Sequence, residues 1–349
     1  MANSRTQRYS RQIILPQVGD VGQARILNGR VAVVGLGALG CSAVDLLARA
    51  GVGHLTLVDR DVVEWTNLQR QTLYTEDDAV RGMPKAEAAA ARVRAVNSGV
   101  ECVPLVVDLT SENVERMLCF QAGGQHVIID ATDNHETRFL LNDVAVAHGV
   151  PLAYGGVIGT RGMHATFMPG GPCLRCVFGE PAAPGAVPTC DTAGVLGSAV
   201  VTVAAAQVTG AIKVLLGTCD RVEGALTDFD VWSGTHRVVQ LGAADPACVC
   251  CGQRRFEFLG ADSGGDVAGL CGQNAVQVRP ARTGDVDLGA LAQRLAAVGS
   301  VHRSRFMVRF VPSESPMISM SIFGDGRGIV HGTADLAVAR TAYARFVGV

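Results

Sequence analysis

An excess of either charge is missing from this sequence. Its 30 lysines and arginines stand against 32 aspartates and glutamates, for a formal net charge of -2. Nothing in that balance marks a surface for nucleic acid or membrane, so electrostatic work has to be local. An apolar leader is missing too: MANSRTQRYSRQ is polar, which excludes a secretory signal in that stretch and sets the expectation of a cytoplasmic protein. Tandem repeats are absent. Periodicity is lost in FGEPAAPGAV, residues 178–187, which reads as a mobile surface loop. What the chain does have is length and apolar content. With 349 residues, 48% of them hydrophobic, it can bury a large core as two domains or one domain with an appendage. The longest apolar run, residues 193–217, has the length of a membrane span but holds Ser198, Thr202, Gln207, Thr209 and Lys213. A lysine near a bilayer centre costs about 2.5–3.5 kcal/mol, so the expectation is a core helix, or one that also lines a subunit interface.

Strand and helix patterns alternate. RVAVV meets GLGALG and then CSAVDLLARAG, HLTLVDRD follows, AEAAAARVRAVN precedes ECVPLVV, and HVIIDATDN and VPLAYGGVIG read as further strands. This order predicts an α/β, Rossmann-like, mainly parallel sheet with helices on both faces and ligands at the carboxyl ends of its strands. The Gly-rich stretch GADSGGDVAG reads as a linker. The expected organisation is a domain over 1–253, a linker over 254–270 and a small α+β module over 271–349. That module reads as strand NAVQV, a helix, strands RFMVRFV and MISMSIFG, a turn at DGRG and a last helix. It lacks a cysteine-centred loop of the rhodanese kind. Carrier docking and structural support are the two roles open to it.

Gly35, Gly37 and Gly40 form G-x-G-x-x-G at a strand-to-helix turn, where missing side chains let backbone N–H groups approach phosphate. Asp59 closes the next strand at the distance of a carboxylate that accepts from ribose hydroxyls. NAD fits those features equally well. The decision rests on DRDVVEWTNLQRQ, with Asp61, Asn67, Gln69 and Arg70, and on MPK, which puts Lys85 at a helix start. Cations and amides clustered there suit the triphosphate of ATP and are not needed by a dehydrogenase. Asp133, in the polar exit of IIDATDN, is placed to hold Mg2+ through oxygen. Each residue alone is more simply a surface charge or cap; as a set they favour a nucleotide-using enzyme over an NAD-dependent oxidoreductase or an inactive binding protein.

RYSRQI, VVGLGALG, GVGHLTLVDRDVVEWTNLQRQTL, PK at Pro84 and ATDN at Ala131 resemble, in this order, the motifs of the MoeB, ThiF and HesA adenylyltransferases, relatives of ubiquitin-activating enzymes, over roughly the first 253 residues. The resemblance implies ATP-dependent adenylation of the C-terminal Gly-Gly carboxylate of a ubiquitin-like sulfur-carrier protein. A sulfur donor such as a cysteine desulfurase then displaces AMP. Another ubiquitin-like modifier, a peptide or a tRNA-bound group is the alternative acceptor. It implies that Asp59 binds ribose, that Asn67, Gln69, Arg70 and Lys85 contact phosphates, that Asp133 in its ATDN motif, with Asn134 beside it, serves the metal and nucleotide, and that Arg11 reaches across a homodimer. No side-chain base stands out in the motifs, and none is required, because the attacking carboxylate is ionised near neutral pH.

Of the 11 cysteines, Cys173 and Cys176 in PCLRC and Cys248 and Cys251 in CVCCG form two Cys-x-x-Cys pairs. Two such pairs point to structural Zn2+ held by four thiolates, with Cys250 as the competitor for Cys251. A lone redox pair is the weaker alternative. Cys190, in PTCDTAG before the apolar helix, is a candidate for a covalent sulfur intermediate, since a helix N-terminus favours thiolate.

Overall fold

The computed structural model describes residues 2–118, 120, 124–181, 193–218, 224–260, 267–270, 274–278 and 286–348. The chain divides into two compact units, Met1–Asp262 and Ser263–Val349. The break falls inside the expected linker, but that linker is shorter than its sequence implies. Residues 254–260 belong to the first unit, where Phe258 N donates to Asp143 Oδ2 at 2.8 Å, and Val267–Leu270 forms a strand.

The first unit holds an eight-stranded sheet in the order β3-β2-β1-β4-β5-β6-β7-β8. Strands β1 (Arg30–Val34), β2 (His54–Val58), β3 (Glu101–Leu105), β4 (Val127–Asp130) and β5 (Leu152–Ile158) pair in parallel. Strands β6 (Arg161–Phe167), β7 (Ala225–Asp230) and β8 (Thr235–Gln240) extend it antiparallel. Side chains alternate along each strand. In β1, Val31 and Val33 enter one core with Leu55, Leu57 and Ile129, while Ala32 and Val34 enter the other with Ile128, Leu152 and Tyr154. Both faces are therefore covered, as a parallel sheet requires. Two helices at the start, Ala2–Ile13 and Gly19–Leu27, were not legible in the polar opening.

The long apolar run becomes the helix Gly197–Leu216. It lies on the sheet: Val200, Val203, Ala204, Val208 and Ala211 are buried in the first core. Its polar interior residue is anchored to the sheet through its amide nitrogen, since Gln207 Nε2 donates to the carbonyls of Asp130 (2.7 Å) and Ala153 (3.0 Å), while its Oε1 has no partner among the described residues. A Cβ on Gly210 would strike Thr166, so glycine there sets the close approach of helix to sheet.

The second unit carries strands β9 (Val267–Leu270), β10 (Ala275–Val278), β11 (Gly299–Arg303), β12 (Met307–Pro312), β13 (Ser319–Phe323) and β14 (Gly328–His331) in a six-stranded sheet ordered β11-β12-β13-β14-β10-β9. Val276, Val278, Val308, Phe310, Met320, Ile322 and Val330 pack with Leu291, Leu295, Ala339 and Tyr343 of the helices Leu288–Ala296 and Leu336–Phe346. Strands β9 (Val267–Leu270), β11 (Gly299–Arg303) and β14 (Gly328–His331) join the sheet without having been expected from sequence.

Candidate functional site

The exits of β1, β2, β3 and β4 lie side by side because those strands are parallel neighbours. After β1 the chain turns at Gly35, whose φ of 85° favours glycine. A Cβ there would stand 2.6 Å from the Ala131 carbonyl oxygen, and one on Gly40 would run into the Gly35 carbonyl. These two glycines serve packing. Gly37 differs: a Cβ there would meet only Gln71 Nε2, at 3.9 Å. It caps the helix Ala38–Ala50 without any side-chain hydrogen bond, so the first N–H groups of that helix face a turn with room for an anion.

Beyond β2, Asp59 braces this turn. Its Oδ2 accepts from Leu36 N at 2.6 Å and its Oδ1 from Asp61 N at 2.7 Å. The next segment zips onto the start of helix Lys85–Val96: Val63 N donates to Met83 O at 2.8 Å and Lys85 N to Asp61 O at 2.9 Å. That brings Lys85 Nζ within 3.2 Å of Asp61 Oδ2. Lys85 is only 4% exposed. Burial alone pulls its ammonium toward neutrality, but Asp61, Asp59 and Asp133 outweigh it and hold the group above its ordinary value. Burial pushes the Asp59 carboxyl up, and Asp61 adds to this against the pull of Lys85. Arg60 binds Asp108 at 3.1 Å and also feels Asp61, Asp133 and Asp59. Six charged side chains, Asp59, Arg60, Asp61, Asp108 and Asp133 from three strand exits and Lys85 from a helix start, thus share one field.

At the exit of β4, Asp130 is fully buried and pairs with Arg138 Nε at 2.8 Å. Arg138 also donates to Thr132 O at 2.6 Å, and its guanidinium lies 5.0 Å from the Tyr154 ring centre. This network fixes the loop that carries Asp133. Asp133 itself is exposed and makes no hydrogen bond or ion pair among the described residues, although its charge acts on Lys85, Arg60 and Arg138. A free, hard oxygen donor in that place fits a divalent cation.

The cysteines lie in the same unit. Sγ atoms of Cys173, Cys176, Cys248 and Cys251 all lie within 4.8 Å of one another. The separations are 3.7 Å for Cys173–Cys248, 3.3 Å for Cys176–Cys251 and 4.0 Å for Cys173–Cys176. Those are far longer than a disulfide and close to the edge of about 3.8 Å that a tetrahedron of 2.3 Å zinc–sulfur bonds requires. The structure also distinguishes the two competitors: the group of four thiols in mutual reach takes Cys251, while Cys250 packs beside it and accepts from Asn142 Nδ2 at 3.2 Å, and Asn142 Oδ1 takes Leu174 N at 2.9 Å. Between Cys173 and Cys176 in sequence, buried Arg175 pairs with Glu257 at 2.8 Å and with Glu180.

With this geometry in view, residues 9–250 match the ThiF family. The chain belongs to that family. It is 41% identical over 346 residues to the "Sulfur carrier protein ThiS adenylyltransferase" of Bacillus subtilis (strain 168), covering 98% of this chain and 100% of that protein. It is 44% identical over 246 residues to the "SAMP-activating enzyme E1" of Haloferax volcanii, covering 70% of this chain and 88% of that one. The similarity to the Bacillus protein therefore runs through the second unit. The crystal structure of E. coli MccB with ATP superposes with a TM-score of 0.60 at 20% identity, over 70% of this chain and 74% of that one, and shows the shared fold.

Within this ThiF-family chain the structure gathers Gly35, Gly37, Gly40, Asp59, Asp61, Lys85 and Asp133 at one edge of the sheet. Asn67 is buried and spends its Oδ1 on Glu64 N (3.0 Å), shaping the turn Trp65–Asn67. Asn134 likewise caps helix His135–His148, accepting from Glu136 N at 2.8 Å. Gln69 is exposed, and Arg70 donates to Thr66 O at 3.0 Å within its own turn, so neither is joined to the carboxylate cluster by a contact. Arg11 lies elsewhere. Its helix packs through Tyr9 on Gly51 and Asn97, at the far ends of helices Ala38–Ala50 and Lys85–Val96. At 1.5 Å per residue that is roughly 20 Å from the glycine turn. Cys190 and most of the 178–187 loop fall outside the described residues. Arg60, Arg138 and Gln71 were missed; each stands inside a quoted motif or one turn past it, but nothing in spacing alone sets them apart from ordinary surface residues.

Proposed function

We propose that this chain uses Mg-ATP to adenylate the C-terminal carboxylate of a small ubiquitin-like sulfur-carrier protein, forming an acyl-adenylate and pyrophosphate ahead of sulfur transfer. One observation carries the reading: a buried ammonium, Lys85, is held charged among three carboxylates beside a glycine turn that leaves room for phosphate. The membership in the ThiF family and the 41% identity to a ThiS adenylyltransferase support it.

The residues divide the work by charge. The N–H groups after Gly37 and the Lys85 ammonium receive phosphate oxygens, and Arg70 needs only to leave the Thr66 carbonyl to join them. Asp133, with Asp61 nearby, would hold Mg2+, which would offset the charge of the leaving pyrophosphate. The carrier's carboxylate attacks the α-phosphorus, and because it is already ionised the site has no need of a base. Catalysis is then positioning and neutralisation, as in other phosphorus transfers. Four thiolates of the cysteine cluster would hold Zn2+ as a closed structural site. Arg11, far from its own turn, acts in this reading across a homodimer.

Exchange of labelled pyrophosphate into ATP in the presence of carrier tests the reading. Asp133→Asn, which breaks no contact in the fold, and Lys85→Ala should each lower exchange by about 10²–10³-fold. Normal exchange by both variants, or none by the wild type, removes it.

A further inference from the structure

Among the described residues, Gln71 is a buried side chain beside the glycine turn for whose amide the fold provides no hydrogen bond. It is 4% exposed, and its Oε1 is sealed from solvent with no hydrogen-bond partner among the described residues. Leaving an amide oxygen unpaired in a low-dielectric interior is costly, and native proteins keep such a group where a ligand or a mechanism completes it. Its place is fixed without help from the amide: Gln71 N donates to Asn67 O at 2.9 Å and Tyr74 N to Gln71 O at 3.3 Å. Tyr74 in turn donates its hydroxyl to Leu36 O at 2.8 Å, which ties this segment to the glycine turn. The amide is thereby aimed at Gly37, with Nε2 the only atom within 4 Å of the point a Cβ would occupy.

We propose that the Gln71 amide is a direct ligand of the nucleotide's phosphate end, acting as a neutral partner to the backbone N–H groups of the turn. This rests on the nucleotide reading above. Nε2 donates to a phosphate oxygen that enters over Gly37, and Oε1 accepts from a hydroxyl or water that the nucleotide holds. The two atoms exchange by rotation of the amide, so the argument needs only one donor and one acceptor there. Neutrality is part of the assignment. Asp59, Asp61 and Asp133 already surround Lys85 and Arg60, and a further acid at this point would repel the triphosphate.

The test is ATP affinity by calorimetry and the ATP-dependent rise in Tm, measured on the full chain as wild type, Gln71→Met and Gln71→Glu. Gln71→Met keeps the volume and removes the unpaired amide. It should melt at or above the wild-type temperature without ligand, bind Mg-ATP about tenfold more weakly, a loss of about 1.4 kcal/mol, and show a smaller ligand-induced rise. Gln71→Glu should bind more weakly still. Should Gln71→Met fail to fold, Gln71→Asn and Gln71→Glu carry the same comparison. Unchanged affinity in variants that fold, with or without a lower ligand-free Tm, overturns the assignment and leaves the nucleotide reading standing. A wild type that does not bind Mg-ATP removes both.

Discussion

Lys85 and Cys173 are both buried polar side chains of the first unit, yet their surroundings are built on opposite plans. Around Lys85, opposite charges arrive from separate strand exits, and the space over Gly37 stays open. Around Cys173, hydrogen bonds with the neighbouring thiols, Cys250 foremost, push its thiol down to about 4, and its partners come from the chain itself. On the proposed reading the first arrangement is completed by a ligand, so changing one of its charges should cost chemistry more than stability. The second is a staple between two distant parts of the chain, near residues 173 and 248, so breaking it should cost stability first.

The largest expected effect tests that contrast directly. Cys248→Ser, or stripping the wild type with a strong chelator, should lower the unfolding free energy steeply, since four-thiolate zinc sites supply on the order of 10 kcal/mol. Circular dichroism melts paired with metal analysis check it: about one zinc per chain is expected in the wild type and its loss in the variant. A metal-free Cys248→Ser protein that melts like the wild type would show that the cluster is no staple.

How much of this contrast was legible in the sequence follows from its physical basis. The glycine turn, Asp59, Lys85 and the paired cysteines were legible because short-range geometry dictates them: a turn that needs glycine, a strand that ends in acid, a two-residue gap between thiols. The antiparallel extension β6–β8 was not, because a strand's direction depends on which neighbour it finds and leaves no mark on its own alternation. Asn67 and Asn134 were read as nucleotide-binding residues, and in the fold both also spend a side-chain oxygen on local backbone N–H groups. A cap and a ligand call for the same residue type in the same polar exit. Gln71 went unmarked for the opposite reason: its significance is a missing partner, and absence of a partner is visible only once the fold is built.

An intermediate effect sharpens the claim that the open site is incomplete in one chain. Arg11→Ala and Lys85→Ala proteins should each be nearly inactive in pyrophosphate exchange. If the chain is a homodimer with Arg11 supplied by the partner, as proposed, mixing and reassortment should recover about a quarter of wild-type activity, because half the dimers are hybrids and each hybrid holds one intact site. No recovery, with hybrid dimers demonstrated by native mass spectrometry, would place Arg11 outside the chemistry.

The smallest expected effect concerns the antiparallel half, where no ligand is called for. His164 on β6 is depressed below its usual value, first by burial and then by His236 and Lys213. A histidine depressed in the folded state binds fewer protons there than in the unfolded chain. Stability therefore rises with pH between the two values and is lost as pH falls below about 6.5 toward the folded value. His126 and His135 are depressed as well and act with the same sign, so His164→Gln should flatten the acid limb of a stability-against-pH profile without abolishing it. Urea midpoints between pH 5 and 8 measure this, with and without Mg-ATP. If the antiparallel half is scaffold, the His164 contribution to the slope is the same in both series. A slope that vanishes when ATP is bound would mean that this strand senses the nucleotide, and the division between an open site and a closed frame would have to be redrawn through the middle of the sheet.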